Sequence, residues 1–488
     1  MLIEVKGHDR SAKKVKYDDL FWNAIMADTN RRRKLAGVYN ERALELLTTA
    51  AEPAMQEAQQ AIQLYSARGT TNSHSPAAAA TNDNHLAATA TTDDHHAAAA
   101  AHEATGNGLF SFAERKFKGE MVAEENARLS TYMTQGRTIR EKMINHAIHL
   151  LSKSRHTMLE KELIKLLLSG VINFLDHSTY EAMKSIFTTR QLDLLAKPDN
   201  FNRGKYGLDL PSIAMLNDIV DNSGKDLDSL LQRTQHEKTK LIINKERKSD
   251  TYKMLCILDI VAEYFDKPMD KNASETTVYR RFAMLLDFLF ADLDVNMKDG
   301  EALAEATKSA MEQSDYDAMA SHGKRIDLLL KIKDTKVELA CNEWKTYSTS
   351  HLLLPQQSKN LRSNCAVLSK LHISSHGKIN KVMAADVVGT TGYIYLLELR
   401  KDIYVATVIE TMFLPADLSH LALFKKTIHA LFIWKDFLAE LVDSMKVALV
   451  QEDLDNMVRT PTSEPCDPPP KLFFTPKHNR KRSIDQIE

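Results

Sequence analysis

The sequence predicts an α+β protein, in which a large α-helical N-terminal region precedes an α/β core with a mixed sheet of about five strands. Two observations support this fold class. Apolar residues recur at helical spacing through most of the first half of the 488-residue chain. Short apolar runs bounded by turn residues appear only after His322, in the order two strands, helix, three strands, helix. A chain of this length is expected to form roughly two or three domains.

The first 250 residues divide into three predicted segments. Residues 1–68 are predicted to be helical. Residues 69–108 consist of Ala, Thr, Asn, Asp and His with almost no large apolar side chain, so we expect a disordered low-complexity insert. Such a segment buries too little surface to offset the entropy lost on ordering. Residues 109–250 return to helical patterning, with a loop region over 198–228 and a domain boundary near 250.

Residues 251–445 are predicted to form the second domain, which begins with helices. An apolar helix covers Tyr252 to Phe265, and Ser274 is the expected N-cap of a helix that runs to about Phe290. A further helix is expected from Gly300 to Met319.

The predicted sheet follows these helices. A helix over residues 352–371 separates the second strand from the third, and a final amphipathic helix covers 418–445. Residues 446–488 are predicted to be a disordered tail that ends in a basic cluster. The five predicted strands are Arg325–Ile332, Val337–Lys345, Val382–Val388, Gly392–Leu399 and Ile403–Phe413.

Composition limits the classes of partner and compartment. A net charge of −1 gives no global attraction to nucleic acid or to an acidic membrane, so any basic surface must be local. The four cysteines lie far apart without metal-ligand spacing and are expected to be reduced thiols of an intracellular protein. No apolar run reaches the ~18 residues of a membrane span, so no membrane partner is expected. The sequence also lacks a Gly-rich phosphate loop, a dinucleotide fingerprint, a Gly-x-Ser-x-Gly elbow and a His-Glu-x-x-His helix.

Three polar residues on the first two predicted strands form the candidate catalytic site: Asp327, Glu343 and Lys345. If residues 334–336 form a three-residue hairpin loop, Lys333 pairs with Val337 and Asp327 lies opposite Glu343. Because side chains alternate along a strand, Lys345 then shares a face with Glu343. Two carboxylates can hold Mg²⁺ or Mn²⁺ between them, and the lysine can orient a water that attacks a phosphodiester.

One additional metal ligand and one structural alternative are open for this site. The backbone carbonyl of Trp344 is a candidate further ligand of the metal. In a purely structural interpretation, Asp327 and Lys345 form a cross-strand ion pair and Glu343 is solvated.

The pattern of Asp327, Glu343 and Lys345 resembles that of the PD-(D/E)XK superfamily of restriction-enzyme-like nucleases, and Ile326 stands where the family has its proline. The resemblance covers roughly residues 274–440 and implies a restriction-endonuclease-like core. The chain is also similar to uncharacterised fungal proteins with Gly-x-Arg-Ile-Asp-Leu-Leu, Glu-Leu and Asn-Glu-x-Lys elements, which are loosely linked to mobile-element nucleases.

The resemblance implies further site residues. Helices before the hairpin often supply one more metal-binding carboxylate, and Glu275 is the candidate, with Glu301 as its competitor. Either glutamate can instead complement the dipole of a helix N-terminus. Gln356 or Gln357, together with Lys359, matches the polar residue on the helix that flanks the family's site, and the alternative is a solvated helix face.

Local charge predicts a nucleic-acid partner, most simply DNA. Residues 321–372 contain nine Lys or Arg against four Asp or Glu. Asp386 and Tyr393 are candidates for extra polar groups near the site, but they are expected to serve the fold. The predicted nucleic-acid contacts are Lys324, Arg325, Lys333, Lys359 and Arg362. The tail cluster, which resembles a nuclear-import signal and predicts a nuclear protein, comprises Lys477, Arg480, Lys481 and Arg482.

The sequence thus predicts a metal-dependent nuclease that acts on DNA. The alternative is a catalytically inactive protein with a nuclease fold, which serves as a scaffold for nucleic acid or protein. No pattern identifies a protein partner of the helical N-terminal half.

Deleting residues 69–108 is expected to leave the thermal unfolding temperature unchanged, because this low-complexity tract has almost no large apolar side chain to contribute to a core. Circular dichroism melts of the full chain and of the deletion variant test this. A large drop in unfolding temperature would show that the tract is part of the folded core.

Overall fold

The computed structural model describes residues 108–120, 127–199, 201–223, 226–266, 273–313, 323–346, 353–458 and 466–474. All of them belong to one compact unit, Thr91–Glu488. The predicted helical segment 1–68, all but the last residue of the predicted insert, and the basic cluster at 477–482 lie outside the described residues. Where it is described, the chain has the mixed α+β fold that the sequence predicts.

Helices dominate the first half of the described chain. A threonine precedes α2, α3 and α5 and forms a reciprocal capping box with the third residue of each helix. The helices are α1 (108–118), α2 (Ile139–Leu151), α3 (Met158–Leu168), α4 (His177–Met183), α5 (Thr189–Ala196), α6 (Leu210–Asn222) and α7 (Leu227–Ile243). Helix α6 lies where a loop was predicted. Pro211 was expected to mark a loop, but it occupies the first turn of a helix whose N-cap is Asp209.

The second half contains the remaining helices and six of the seven strands. Its helices are α8 (Asp250–Asp266), α9 (Glu275–Leu289), α10 (Glu305–Glu312), α11 (Leu353–Ser374) and α12 (Leu421–Val458). The strands of the whole sheet are β1 (Val171–Asn173), β2 (Val295–Ala304), β3 (Lys324–Ile332), β4 (Glu338–Lys345), β5 (Lys381–Val388), β6 (Thr391–Arg400) and β7 (Ile403–Phe413).

One mixed sheet unites these strands in the order β1-β7-β6-β5-β4-β3-β2. The pairs β1/β7 and β4/β5 are parallel, and the others are antiparallel. The five predicted strands are therefore present, and β1 and β2 are added at the two edges. Because β1 comes from the predicted helical region and pairs with β7, the sheet crosses the domain boundary predicted near residue 250.

Strand β2 corrects the prediction of a helix from Gly300 to Met319. The strand continues to Ala304, and α10 begins only at Glu305. Its pairing with β3 shifts between Asp299 and Ala302, where Gly300 adopts a φ of 73°. A glycine in this left-handed region is typical of a β-bulge, so the Ala- and Glu-rich composition was misleading here.

The β3–β4 hairpin also differs from the predicted register at its turn. The backbone N–H of Ile332 donates to Val337 O, so the loop has four residues and Lys333 does not pair with Val337. A bulge between the pairs Leu330/Ala340 and Lys331/Glu338 then restores the predicted alignment. The last pair toward the site is Leu328/Asn342, and one residue further along, Asp327 lies beside Glu343 as predicted.

Helices cover both faces of the central strands. On one face, Tyr279 and Phe282 of α9 pack edge-on against Trp344, at ring-centroid distances of 5.2 and 6.3 Å. On the other face, α11 connects β4 to its parallel neighbour β5 and contacts Glu343 through Lys359. The middle of β5 and β6 is buried throughout, as in sheets with helices on both sides.

The C-terminal segment is more ordered than predicted. Helix α12 continues to Val458, beyond the boundary expected at 445. Residues 466–474 then pack on the core, where the fully buried Phe473 contacts Phe110 and Phe117. The prediction of a disordered tail is therefore wrong for residues 446–458 and 466–474. A helix can continue past the end of its amphipathic pattern when its first turns are anchored by packing.

The four cysteines are free, which agrees with the prediction of reduced thiols. Among the described residues, no helix is both long and apolar enough to span a bilayer.

Phe473→Ala is expected to lower the free energy of unfolding by about 3 to 5 kcal/mol. The substitution leaves a cavity between the core and the rings of Phe110 and Phe117 in α1. Urea unfolding measures the change. Met457→Ala, at a side chain that is 78% exposed, is the control and should change stability by less than about 0.5 kcal/mol. Similar small effects from both variants would show that the docked segment adds no stability.

Candidate functional site

The ammonium group of Lys345, at the end of β4, joins carboxylates from three elements. Lys345 Nζ lies 2.8 Å from Glu275 Oε1 of α9, 3.3 Å from Asp327 Oδ2 of β3 and 3.9 Å from Glu343 Oε2 of its own strand. It also donates to the backbone carbonyl of Trp344 at 2.8 Å. The predicted triad and the predicted helix glutamate are thus brought together in space.

Two local features hold these groups in place. Ser274 caps α9, as predicted, by accepting a hydrogen bond from the N–H of Thr277, and this fixes Glu275 in the first turn. Asp327 Oδ2 accepts a hydrogen bond from the backbone N–H of Trp344 at 2.8 Å, so the carboxylate is tied to β4.

Glu343 is the buried member of the group, with a side chain that is only 1% exposed. Its Oε1 accepts from Lys359 Nζ of α11 at 2.7 Å, and Lys359 also donates to the carbonyl of Arg325 at 2.8 Å. The structural alternative is therefore half right: Asp327 and Lys345 do form an ion pair, but Glu343 is not solvated.

A fourth carboxyl group, Asp386 of β5, lies beside Glu343 because the two residues are register partners in the parallel β4–β5 pair. Asp386 accepts from Gln356 Nε2 of α11 at 2.9 Å and from the hydroxyl of Tyr393 at 3.1 Å. Gln357 donates in turn to Tyr393. Gly392 allows β6 to approach β5 closely, since a Cβ on it would lie 2.6 Å from the backbone oxygen of Asp386.

Electrostatics reflect this concentration of buried carboxylates. Burial raises the pKa of Glu343 to about 7, and the charge of Asp327 adds to the effect, while Lys359 opposes it. Burial, followed by the charge of Glu343, also raises the pKa of Asp386 to about 7. Burial alone would lower the pKa of Lys345, but Glu275, Asp327 and Glu343 outweigh it and raise that pKa. Lys345 is therefore an ammonium at neutral pH.

The residues predicted to contact nucleic acid lie in different parts of the structure. Arg325 is exposed and shares its side of β3 with Asp327, and the partly buried Lys324 begins that strand. Lys333 is exposed in the hairpin turn, about 20 Å along the strand from Asp327 at ~3.3 Å per residue, so its predicted contact with nucleic acid would be made away from the candidate site.

Two other predicted contacts also need correction. Arg362 is only 4% exposed and donates to Ser358 O and Phe473 O, so it stabilises the docked C-terminal segment instead of contacting a ligand. Lys359 is partly exposed, but its ammonium group is already bound to the buried Glu343. For the competing residue Glu301, the side chain lies outside the described atoms.

The sequence analysis named Asp386 and Tyr393 as candidates near the site but assigned them to the fold, whereas the structure places Asp386 beside Glu343 with Tyr393 bonded to it. One feature could have identified Asp386: it is the only charged residue between Lys381 and Val388 in a strand that is otherwise apolar. A carboxyl group in such a strand is expected to have a buried polar partner.

The chain matches no protein-family model, no curated protein and no solved structure. The resemblance to PD-(D/E)XK nucleases therefore stays a prediction. Within the described part of the chain, no three His, Cys, Asp or Glu side chains are gathered in a way that could hold a metal ion as they stand, and lysine ammonium groups lie between the carboxylates of the site.

Stability is expected to depend on pH through Glu343. Its pKa is about 7 in the folded protein and 4.5 when unperturbed, so between these values the folded state holds a proton that the unfolded state releases. This contribution to stability therefore decreases as pH rises from 4.5 to 7, and it is constant above 7.

Glu343→Gln removes this titration, so the variant should gain stability relative to the wild type between pH 4.5 and 8, on the order of 3 kcal/mol. Urea unfolding in EDTA at pH 4.5, 6 and 8 measures the difference. Parallel pH profiles for the two proteins would show that Glu343 titrates normally.

Proposed function

We propose that this chain is a metal-dependent phosphodiesterase that cleaves DNA at the site around Lys345. The observation that carries the proposal is the convergence of Glu275, Asp327 and Glu343 on one lysine, from elements 70 residues apart in sequence. Clusters of ionisable groups with shifted pKa values occur often at functional sites, and Glu343 and Lys345 both have raised pKa values here.

A hard divalent cation would have to displace the Lys345 ammonium from between the carboxylates, since the structure shows the lysine there. The site has four carboxyl groups, with Asp386 included, and two ammonium groups, so full ionisation leaves two negative charges. All the available ligand atoms are oxygens, which Mg²⁺ and Mn²⁺ prefer. Glu275, Asp327 and Glu343 would hold the ion. A bound divalent cation lowers the pKa of its water and offsets charge on the phosphoryl oxygens.

The other residues act on the substrate and the water. Because its pKa is raised, Lys345 donates hydrogen bonds: it would orient the attacking water and stabilise the negative charge that develops on phosphorus-bound oxygens. Arg325 and Lys324, at the start of β3, would attract the phosphate backbone toward Asp327. Lys359 would favour the ionised form of Glu343, since its ammonium lowers the pKa of that carboxyl, which burial raises.

The order of elements supports the proposed restriction-endonuclease-like core. Helix α9, the β3–β4 hairpin, helix α11 and strand β5 occur in the order that the resemblance implies, with β2 and α10 inserted between α9 and β3. The carboxylates lie where β3 begins and β4 ends, at one end of these inner strands of the sheet, and the half-exposed Glu275 gives substrate access to them.

A protein that binds nucleic acid without cutting it is the second candidate function. It is favoured by the ion pairs of Lys345, which already engage Glu275 and Asp327. In that case the lysine would substitute for the metal permanently.

Plasmid nicking by the purified chain should require Mg²⁺ or Mn²⁺ and stop in EDTA. Lys345→Ala and Asp327→Asn are each expected to reduce the rate by at least about 100-fold, because each removes a charge at the reacting phosphate or its metal. The matched control is Lys333→Ala, which removes a lysine at the far end of the same hairpin.

Three outcomes distinguish the candidates. Cleavage lost in Lys345→Ala and kept in Lys333→Ala supports the nuclease. Salt-dependent DNA binding by a wild-type protein that never cuts supports the binding protein. Cleavage that persists in EDTA or in Lys345→Ala contradicts the proposed site.

A further inference from the structure

The docked C-terminal segment is fixed to the core by its last three residues. Leu472 and Phe474 pack into one hydrophobic cluster, and Phe473, between them, packs into the other. Both backbone groups of Phe473 are also bound: its N–H donates to Ser169 Oγ at 3.0 Å, and its carbonyl accepts from Arg362 Nη1 at 2.8 Å. These three residues, termed the tail anchor, therefore hold a fixed place in the fold.

The tail anchor lies beside the basic start of β3. The ring centroid of Phe474 is 5.8 Å from Lys324 Nζ and 5.7 Å from the guanidinium carbon of Arg362. Lys324 is followed by the exposed Arg325, and Asp327 lies about 10 Å further along the strand at ~3.3 Å per residue. The tail therefore leaves the core next to one end of the candidate site.

The tail cluster follows the tail anchor after only two residues. Residues 477–482 contain four Lys or Arg and no Asp or Glu, in a chain whose net charge is −1 and whose attraction to nucleic acid must therefore be local. Because a chain spans at most ~3.6 Å per residue, Lys477 Cα lies within about 11 Å of Phe474 Cα, and Arg482 Cα within about 29 Å. The covalent connection thus keeps all four cations within roughly one turn of B-DNA, ~34 Å, of the tail anchor.

We propose that the tail cluster is a tethered arm that binds the phosphate backbone of DNA at the candidate site. Lys and Arg attract phosphates without regard to sequence, because binding releases condensed counterions. A short tether makes this second contact intramolecular and raises the effective concentration of the arm at DNA that is already bound. The inference rests on the proposed function, because the DNA that the arm contacts is the substrate of that site.

Two observations favour this role over nuclear import alone. An import signal needs only to be accessible, whereas the docking of the tail anchor limits the distance between the tail cluster and the site. Lys324 contacts the tail anchor and Arg325 follows it in the chain, so the arm extends a basic surface that starts at β3.

Fluorescence anisotropy of a labelled DNA duplex of about 30 base pairs, titrated with the full chain in EDTA, tests the inference without catalysis. A variant with all four cations of the tail cluster changed to Gln is expected to bind roughly 10- to 100-fold more weakly near ~0.1 M salt. The slope of log Kd against log salt should also become shallower by about 2 to 4, because each lost phosphate contact removes ~0.9.

The matched control changes residues 31–34, which are also four Lys or Arg, to Gln. It removes the same charge from another part of the sequence and should change the affinity less than about threefold. Equal losses in the two variants would mean that only the total charge of the chain matters, and this overturns the arm.

An insertion variant tests the tether while it keeps every cation. A Gly/Ser linker of about 20 residues after Thr475 lengthens the connection between Phe474 and the tail cluster. Effective concentration decreases roughly as the −3/2 power of tether length, so the affinity for the duplex should fall about 5- to 20-fold. An affinity equal to that of the wild type would show that the distance from the tail anchor is irrelevant, which also overturns the arm.

The remaining outcomes separate the arm from the nuclease. Wild-type affinity in the variant without tail cations overturns the arm, and metal-dependent plasmid nicking by that variant then leaves the proposed function intact. Weaker binding by the same variant, with a wild type that never nicks a plasmid, supports the arm on a protein that binds DNA without cutting it. A wild type that binds no DNA overturns both proposals.

Discussion

The burial of the Glu343 carboxylate is the constraint on which the rest of the site depends. A carboxylate that is 1% exposed cannot stay charged without partners, because desolvation costs several kcal/mol. Lys359 meets this need from α11, and Lys345 lies 3.9 Å away on the same strand. Each of these lysines then makes further contacts. Lys359 joins α11 to the sheet, and Lys345 binds Glu275 and Asp327.

Helix α11 shows how this constraint shapes a whole element. It links two parallel strands, which requires a helix to cross over one face of the sheet. Many of its polar side chains are nonetheless buried, because the sheet covers one side of the helix and the segment around Phe473 lies against another. Asn364 accepts from the N–H of Cys341, and Arg362 holds the carbonyl of Phe473. The same helix thus organises the site, the core and the docked C-terminal segment, so changes in one are expected to affect the others.

The β3–β4 hairpin and α11 differ in how far their local sequence determines the positions of their side chains. The hairpin was predicted with the wrong loop, yet Asp327 still lies beside Glu343, because a bulge compensates for the shifted turn. Alternation along a strand is strict, whereas turn length is not. Arg362 was predicted to contact nucleic acid because polar helix positions are usually exposed, and here they are internal partners.

The sequence by itself determined the α+β class, five of the seven strands, the Ser274 cap and the grouping of Asp327, Glu343 and Lys345. These depend on local periodicity and on residues close together in the chain. The tertiary structure decided what depends on distant partners: the pairing of β1 with β7, the strand β2, the docking of Phe473, and the place of Asp386 beside Glu343. A three-residue strand and a lone buried carboxyl have no periodic pattern, because their stability comes from neighbours that are remote in sequence.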